Sequence, residues 1–377
     1  MGNDAGAGQP ATNPLGYRPA LDGVRGIAIL AVVSLHAFGQ PAEGALGVDL
    51  FFVLSGFLIT SLLLERRQRG DTSLRRFYAR RALRLLPALF AMLTAYVAWT
   101  AVTDPRKLGH AITGAALAIG YVANIAAAWH PETIPHELSQ IWSLSQEEQF
   151  YLVWPPVLLL LMRVRPSMVP RALALLIGAV ALERFLIVIL TVGGGGEFPL
   201  SRLYLGPDTH AEPILIGCLF GFCFVTGQLP AWLAAPGPRR RAAGVSAAFV
   251  LCGILLFDRI WPFLFATPLL TVYAAAAGIV ILSAATDTDG IARLLAFRPL
   301  VFVGRISYSL YLWHLFVLTA IGVSVPEIGV RSIVGVAASV AIAAASFFLV
   351  EQRFLRLKPR AASTSSAATR AYVPLTP

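Results

Sequence analysis

Apolar stretches of roughly bilayer-spanning length, about 20 helical residues, follow one another along most of this chain, and no other feature constrains its fold as much. They read as helices at about 24–42, 45–65, 85–103, 110–129, 149–162, 171–192, 213–227, 242–257, 264–284, 305–323 and 332–350. The 377 residues are 57% hydrophobic and only 13% charged, where a soluble domain is about a quarter charged. Lipid is therefore the expected solvent, and the expected fold class is an all-α integral membrane protein.

The arginines and lysines test how the chain threads. "ERRQRGDTSLRRFYARRALR" holds eight arginines and belongs in the cytoplasm by the positive-inside rule. So do "PRRRA" with Arg239 to Arg241, "RVRPSMVPR", the segment with Arg293, Arg298 and Arg305, and "EQRFLRLKPR". Alternate crossing works if 110–129 does not span, because that stretch carries His110 and Asn124, is rich in Ala and Gly, and lacks flanking basic residues. About ten spans then remain, with both termini cytoplasmic and 110–129 re-entrant or lying on the outer face. Of 30 basic residues, this threading leaves only Arg106, Lys107, Arg202, Arg259 and Arg331 outside and Arg184 within a span. Residues 17–358 form the expected membrane domain, and the polar ends 1–16 and 359–377 are expected to be disordered. No apolar signal with a cleavage site is expected before the first span. The net charge of +10 is spread over these loops instead of forming one basic domain, which argues against a nucleic-acid partner. Cys218, Cys223 and Cys252 lie in apolar runs without metal-ligand spacing, so neither a disulfide framework nor a metal site is expected.

Ionisable residues inside spans are costly, about 2.5–3.5 kcal/mol on insertion scales, and so are functional candidates. Arg25 and His36 lie about three helical turns apart on one face of the first span, roughly 16 Å along the axis. Arg25 is either an interfacial anchor or a functional cation, and His36 either a packing histidine or a base. Asp49 opens the next span near the depth of His36, as a helix N-cap or as a group that orients the imidazole. In "IWSLSQEEQFYLVWPP", Ser145 and Glu148 fit a capping box. Glu147 has no such explanation and is expected near His36, with Pro155 and Pro156 kinking or unwinding the helix. Glu183 and Arg184 diverge around their helix, so each needs its own partner. "SRLYLGPDTHAEP" offers Arg202, Asp208, His210 and Glu212 at the outer face, either to grip a polar acceptor or simply solvated. Ser307, Tyr308, Tyr311 and His314 recur at helical spacing, as a tunnel lining or as interhelical hydrogen bonding.

Together "RPALDGVRGIAILAVVSLH", "GVDLFFVLSGFLIT", "RRFYARRALRLLPAL", "IWSLSQEEQFYLVWP", "RISYSLYLWHLF" and "FFLVEQRF" resemble membrane acyltransferase family 3, bacterial integral-membrane O-acyltransferases. The resemblance covers about residues 18–356. It implies roughly ten spans, an acyl-CoA donor entering from the cytoplasm, and an acceptor hydroxyl usually on a carbohydrate at the outer face. The family's Arg and His match Arg25 and His36, and its "WSL…E" glutamate matches Glu147. Many members carry a further hydrolase-like domain after the membrane part, and none is expected here. That favours acceptors such as glycolipids, glycan repeat units or glycosylated antibiotics, macrolides among them. The family often has an Arg near the position of His210, so "PDTHAEPILIGCLFG" departs from its pattern.

The resulting expectation is an O-acyltransferase of the bacterial plasma (inner) membrane, using acetyl-CoA or another acyl-CoA and no metal. Arg25, Arg76, Arg80 and Arg81 draw the donor phosphates, and Ser307, Tyr308 and His314 line the donor path. His36 is the general base, oriented by Glu147 or Asp49. The competing reading is a secondary transporter of a polar lipid or organic acid.

Overall fold

The structure is a computed structural model that describes residues 16–357 apart from 258–259, 289 and 324. The expected disordered ends, and Arg259 of the threading argument, lie outside the described residues except for Gly16. Among the described residues the chain is helical, without a strand.

Among the described residues, six helices are long and apolar enough to cross a membrane: Pro19–Phe38 (α1), Leu46–Gln68 (α2), Leu74–Thr103 (α3), Pro166–Gly193, Leu269–Thr286 and Val330–Leu355. A bent pair, Arg298–Arg305 and Ser307–Ala320, makes a seventh if its 72° break lies within one span. Leu108–Ile119 (α4) and Ala123–Trp129 (α5) follow α3, and Ile141–Val164 (α6) and Val169–Gly193 (α7) come next. Leu200–Leu205 (α8), the shorter apolar Glu212–Thr226 (α9) and Pro238–Leu255 complete the bundle. Large apolar side chains stay exposed along α7, including Leu175, Leu182 and Leu190, as expected of a helix whose outer face meets acyl chains. The protein is a multi-pass membrane protein.

Three local features differ from the sequence expectation. The eight-arginine segment is mostly helix. α2 runs to Gln68 and α3 begins at Leu74, where Ser73 Oγ accepts from the Arg76 amide at 3.3 Å. Arginine is a good helix former, so the charged run extends the membrane helices at their ends. The 110–129 stretch is two short helices, broken where Tyr121 takes a φ of 52°; neither approaches the ~20 residues a span needs. α6 starts at Ile141, well before its apolar run, and continues through Pro155 and Pro156 without unwinding.

α2 and α9 cross in close contact. A Cβ on Gly56 would lie 2.0 Å from the Ile214 carbonyl oxygen, and one on Gly217 would lie 2.1 Å from that of Val53. Small residues permit such backbone approach where lipid gives no hydrophobic drive between helices. α1 and α2, packed on α9 and Leu269–Thr286, form one wall of the site, and α3, α6 and Ser307–Ala320 form the other.

Candidate active site

A cavity of about 810 Å³ runs beside α2, lined from Val48 to Arg66 and on to Arg69. By helical rise, Val48 to Arg66 alone spans roughly 27 Å. Seven arginines line it (Arg25, Arg66, Arg69, Arg76, Arg80, Arg81 and Arg84), against the carboxylates Asp71 and Glu147. The excess of positive charge suits an anionic ligand.

At the basic end, Asp71 gathers the mouth. It accepts from Arg66 Nε at 3.1 Å and Nη2 at 2.8 Å, and from Arg76 Nη2 at 2.8 Å, with Arg80 at 3.7 Å. Burial alone would raise its carboxyl pKa. Hydrogen bonds from Arg66 and the Ser73 amide, with the charges of Arg66 and Arg76, hold it below the usual carboxylate range instead.

Further in, Arg81 donates from Nε to both carboxylate oxygens of Glu148, at 2.8 and 3.0 Å, and lies 3.3 Å over the Tyr151 ring. Such bidentate, stacked pairing is characteristic of guanidinium. Glu148 is thereby explained as the partner of Arg81. The expected capping box does not form, because Ser145 lies inside α6 and donates to the Ile141 carbonyl at 3.1 Å. Glu147 accepts from Ser55 Oγ and lies 3.7 Å from Arg81. Arg25 is 3.8 Å from Asp22. Arg84 makes no ion pair among the described residues and opens onto the cavity. It ends the basic stretch "RRFYARRALR" without being singled out by the sequence; Arg76, Arg80 and Arg84 recur at i, i+4 and i+8 and so share one helix face.

At the apolar end stand Phe51, Ser143 and Tyr311. The Tyr311 hydroxyl bonds the Gln140 carbonyl at 2.7 Å and the Ser143 hydroxyl at 2.6 Å. Ser307 and Tyr308 line the cavity, with Tyr308 donating to the Leu85 carbonyl at 2.9 Å. His314 does not line it, and neither does His36. Behind Tyr311, ring centroids step 5.8 Å to His314 and 5.1 Å from His314 to His36. The cavity and the histidines are therefore adjacent, separated by the Tyr311 ring, and do not form one open passage.

Both rings are held by their own helices. His36 Nδ1 is 2.8 Å from the Val32 carbonyl, and His314 Nδ1 is 2.8 Å from that of Tyr311 and 3.1 Å from that of Leu310. Carbonyls only accept, so Nδ1 carries the proton and Nε2 carries the lone pair in each neutral ring. His36 is partly exposed and His314 fully buried.

The expected orienting carboxylates are elsewhere. Asp49 Oδ1 lies 2.7 Å from His210 Nε2, with both side chains fully buried, and His210 Nδ1 is 2.6 Å from the Tyr204 carbonyl. Both nitrogens of His210 face oxygen atoms, and Trp142 stacks 5.6 Å from the ring. Asp49 is thus turned toward the segment before α9, not toward α1. Glu147 lies about 9 Å inside α6 by helical rise, at the level of Ser55 and the arginines, because the helix starts earlier than expected. Neither carboxylate pairs with His36. The polar residues of 201–213 are also paired with protein groups. Arg202 binds Asp208 and lies 3.8 Å from Glu183. Arg184 bonds Glu212 at 2.5 Å and the Phe265 carbonyl at 3.2 Å. Glu183 and Arg184 thus have separate partners. Among the described residues, no group of three His, Cys, Asp or Glu is placed to hold a metal ion.

The sequence model of an acyltransferase domain family matches residues 18–351. Peptidoglycan O-acetyltransferase OatA of Listeria monocytogenes is 33% identical over 356 residues, covering 89% of this chain and 55% of that protein. The putative peptidoglycan O-acetyltransferase YrhL of Bacillus subtilis is 33% identical over 326 residues, 83% of this chain and 50% of its own length. O-acetyltransferase OatA of Staphylococcus aureus is 30% identical over 315 residues, 79% of this chain and 50% of that protein. The chain spans about half the length of these curated relatives. No solved structure matches.

Proposed function

The chain belongs to this membrane acyltransferase family, and on that footing we propose that it moves an acyl group, acetyl in the first instance, from acyl-CoA to a hydroxyl of a carbohydrate-containing acceptor. The observation that carries the reading is the arginine-rich cavity, whose apolar end stops one aromatic ring short of two imidazoles with free lone pairs.

Ten crossings accommodate the helices: α1, α2, α3, α6, α7, α9, Pro238–Leu255, Leu269–Thr286, the bent pair and Val330–Leu355. The α4–α5 pair stays within one side, and both termini are cytoplasmic. That threading puts the arginine mouth at the cytoplasmic face of a bacterial plasma membrane, where acyl-CoA is available. Arg76, Arg80 and Arg84 bind the donor phosphates with Arg25; Arg81 keeps Glu148 and sets the wall. Ser307 and Tyr308 flank the pantetheine arm. Tyr311 swings from Ser143 and Gln140 to admit the thioester.

His36 then acts as general base. Its Nδ1–H is anchored on Val32, so Nε2 takes the proton of the acceptor hydroxyl as the oxygen attacks the thioester carbon. Glu147 with Ser55 positions the donor arm, and Asp49 holds the outer wall through His210. A covalent acyl-histidine route runs through the same Nε2. The acceptor class follows from relatives named for peptidoglycan; a glycolipid or a glycosylated natural product such as a macrolide presents the same hydroxyl.

Purified protein incubated with labelled acetyl-CoA and candidate glycans tests the proposal. CoA release with label on the acceptor supports it. Uptake into vesicles without label transfer supports a transporter instead.

A further inference from the structure

His314 has the marks of a histidine kept for chemistry. It is fully buried, its Nδ1 is satisfied by two helical carbonyls, and its Nε2 has no hydrogen-bond partner. A packing histidine would have both nitrogens satisfied, since buried polar atoms almost always are. Its ring lies between Tyr311, at the cavity end, and His36.

The transfer has a proton problem that one imidazole solves poorly. The proton leaves a hydroxyl on the outer side and is needed on a thiolate arriving from the cytoplasmic side. No ion pair joins a carboxylate to His36 or His314 among the described residues, so nothing steadies an imidazolium on His36 as an aspartate does in a triad. From this geometry we infer that His36 and His314 form a two-imidazole proton relay, in which His314 protonates the leaving thiolate of the donor. The inference rests on the role proposed above for His36.

The steps balance. The acceptor O–H bond breaks and an N–H bond forms at His36 Nε2. The acceptor oxygen bonds the acyl carbon, and the C–S bond breaks with its electron pair on sulfur. The proton passes from His36 Nε2 to His314 Nε2 and then to the thiolate, forming S–H. Both imidazoles return neutral, and no further reactant is required. His314 is therefore a catalytic residue and not a wall of the donor site.

The test uses the full chain in detergent, acetyl-CoA, and an N-acetylglucosamine–N-acetylmuramic acid disaccharide or water as acyl acceptor. Its second donor is the selenoester analogue of acetyl-CoA. A selenolate is a weaker base than a thiolate and leaves without a proton, since more acidic leaving groups depart faster. His314→Gln should lower kcat with acetyl-CoA by about 100-fold or more, the scale of general acid–base catalysis. The donor KM should stay within about threefold. The selenoester should restore most of the rate to His314→Gln and none to His36→Gln. The relay is overturned by a wild-type kcat in His314→Gln, by equal losses with both donors, or by a loss carried in KM alone. A fully active His36→Gln instead overturns the base itself. If His314→Gln does not bind acetyl-CoA, the wild-type rate in mixtures of light and heavy water decides. A curved dependence on deuterium fraction is expected from two proton transfers, and a straight line overturns the relay.

Discussion

Asp49 and His210 form a fully buried pair, with Oδ1 2.7 Å from Nε2, joining α2 to the segment that precedes α9. Removing one member leaves the other buried without its partner, a loss of about 3–5 kcal/mol in comparable pairs. Asp49→Ala and His210→Ala should therefore lower the melting temperature in detergent by several degrees. Asp49→Asn, which retains an oxygen, should be milder. Asp49 variants that melt like wild type yet lose transfer would place Asp49 in the chemistry instead.

Arg84 opens onto the cavity without an ion-pair partner among the described residues. Arg84→Ala should raise the KM for acetyl-CoA about tenfold while leaving kcat within about threefold, the pattern of lost uniform binding. Added salt should shrink the difference, because screening weakens the wild-type attraction first. Titrating donor concentration at two ionic strengths checks both points.

Asp71 has a lowered carboxyl pKa in the mouth. A depressed pKa contributes stability above the unfolded value, about 3.9, and loses it only as pH falls through the folded value. Asp71 should thus stay ionised across pH 5–8, and Arg66 and Arg76 should stay gathered over that range. Asp71→Asn should release them at any pH, so trypsin at pH 8 should cut the 66–76 segment faster than in wild type. Equal cleavage rates would show that the cluster does not hold the mouth.

The membrane class and the helices could be read from hydropathy and charge, because both signals are local. Arg25, Ser307 and Tyr308, which the sequence singles out as polar residues within apolar helices, line the cavity. Two kinds of information were missing. The Asp49–His210 bond joins residues 161 positions apart, and no local pattern encodes such a pairing. Glu147 was misplaced in depth because α6 begins at Ile141, ahead of the apolar run that marked its expected start. The resemblance marked Arg25, His36 and Glu147 together but carried no distances, so Glu147 beside Ser55 and His314 beside His36 emerged only from the fold.

The central claim is that one neutral imidazole on α1 removes the acceptor proton, and single-turnover transfer from labelled acetyl-CoA by His36→Ala tests it most directly. The variant should melt like wild type and bind acetyl-CoA with similar affinity, while its transfer rate falls by about 100-fold or more. A folded His36→Ala protein that transfers label at the wild-type rate would contradict the account.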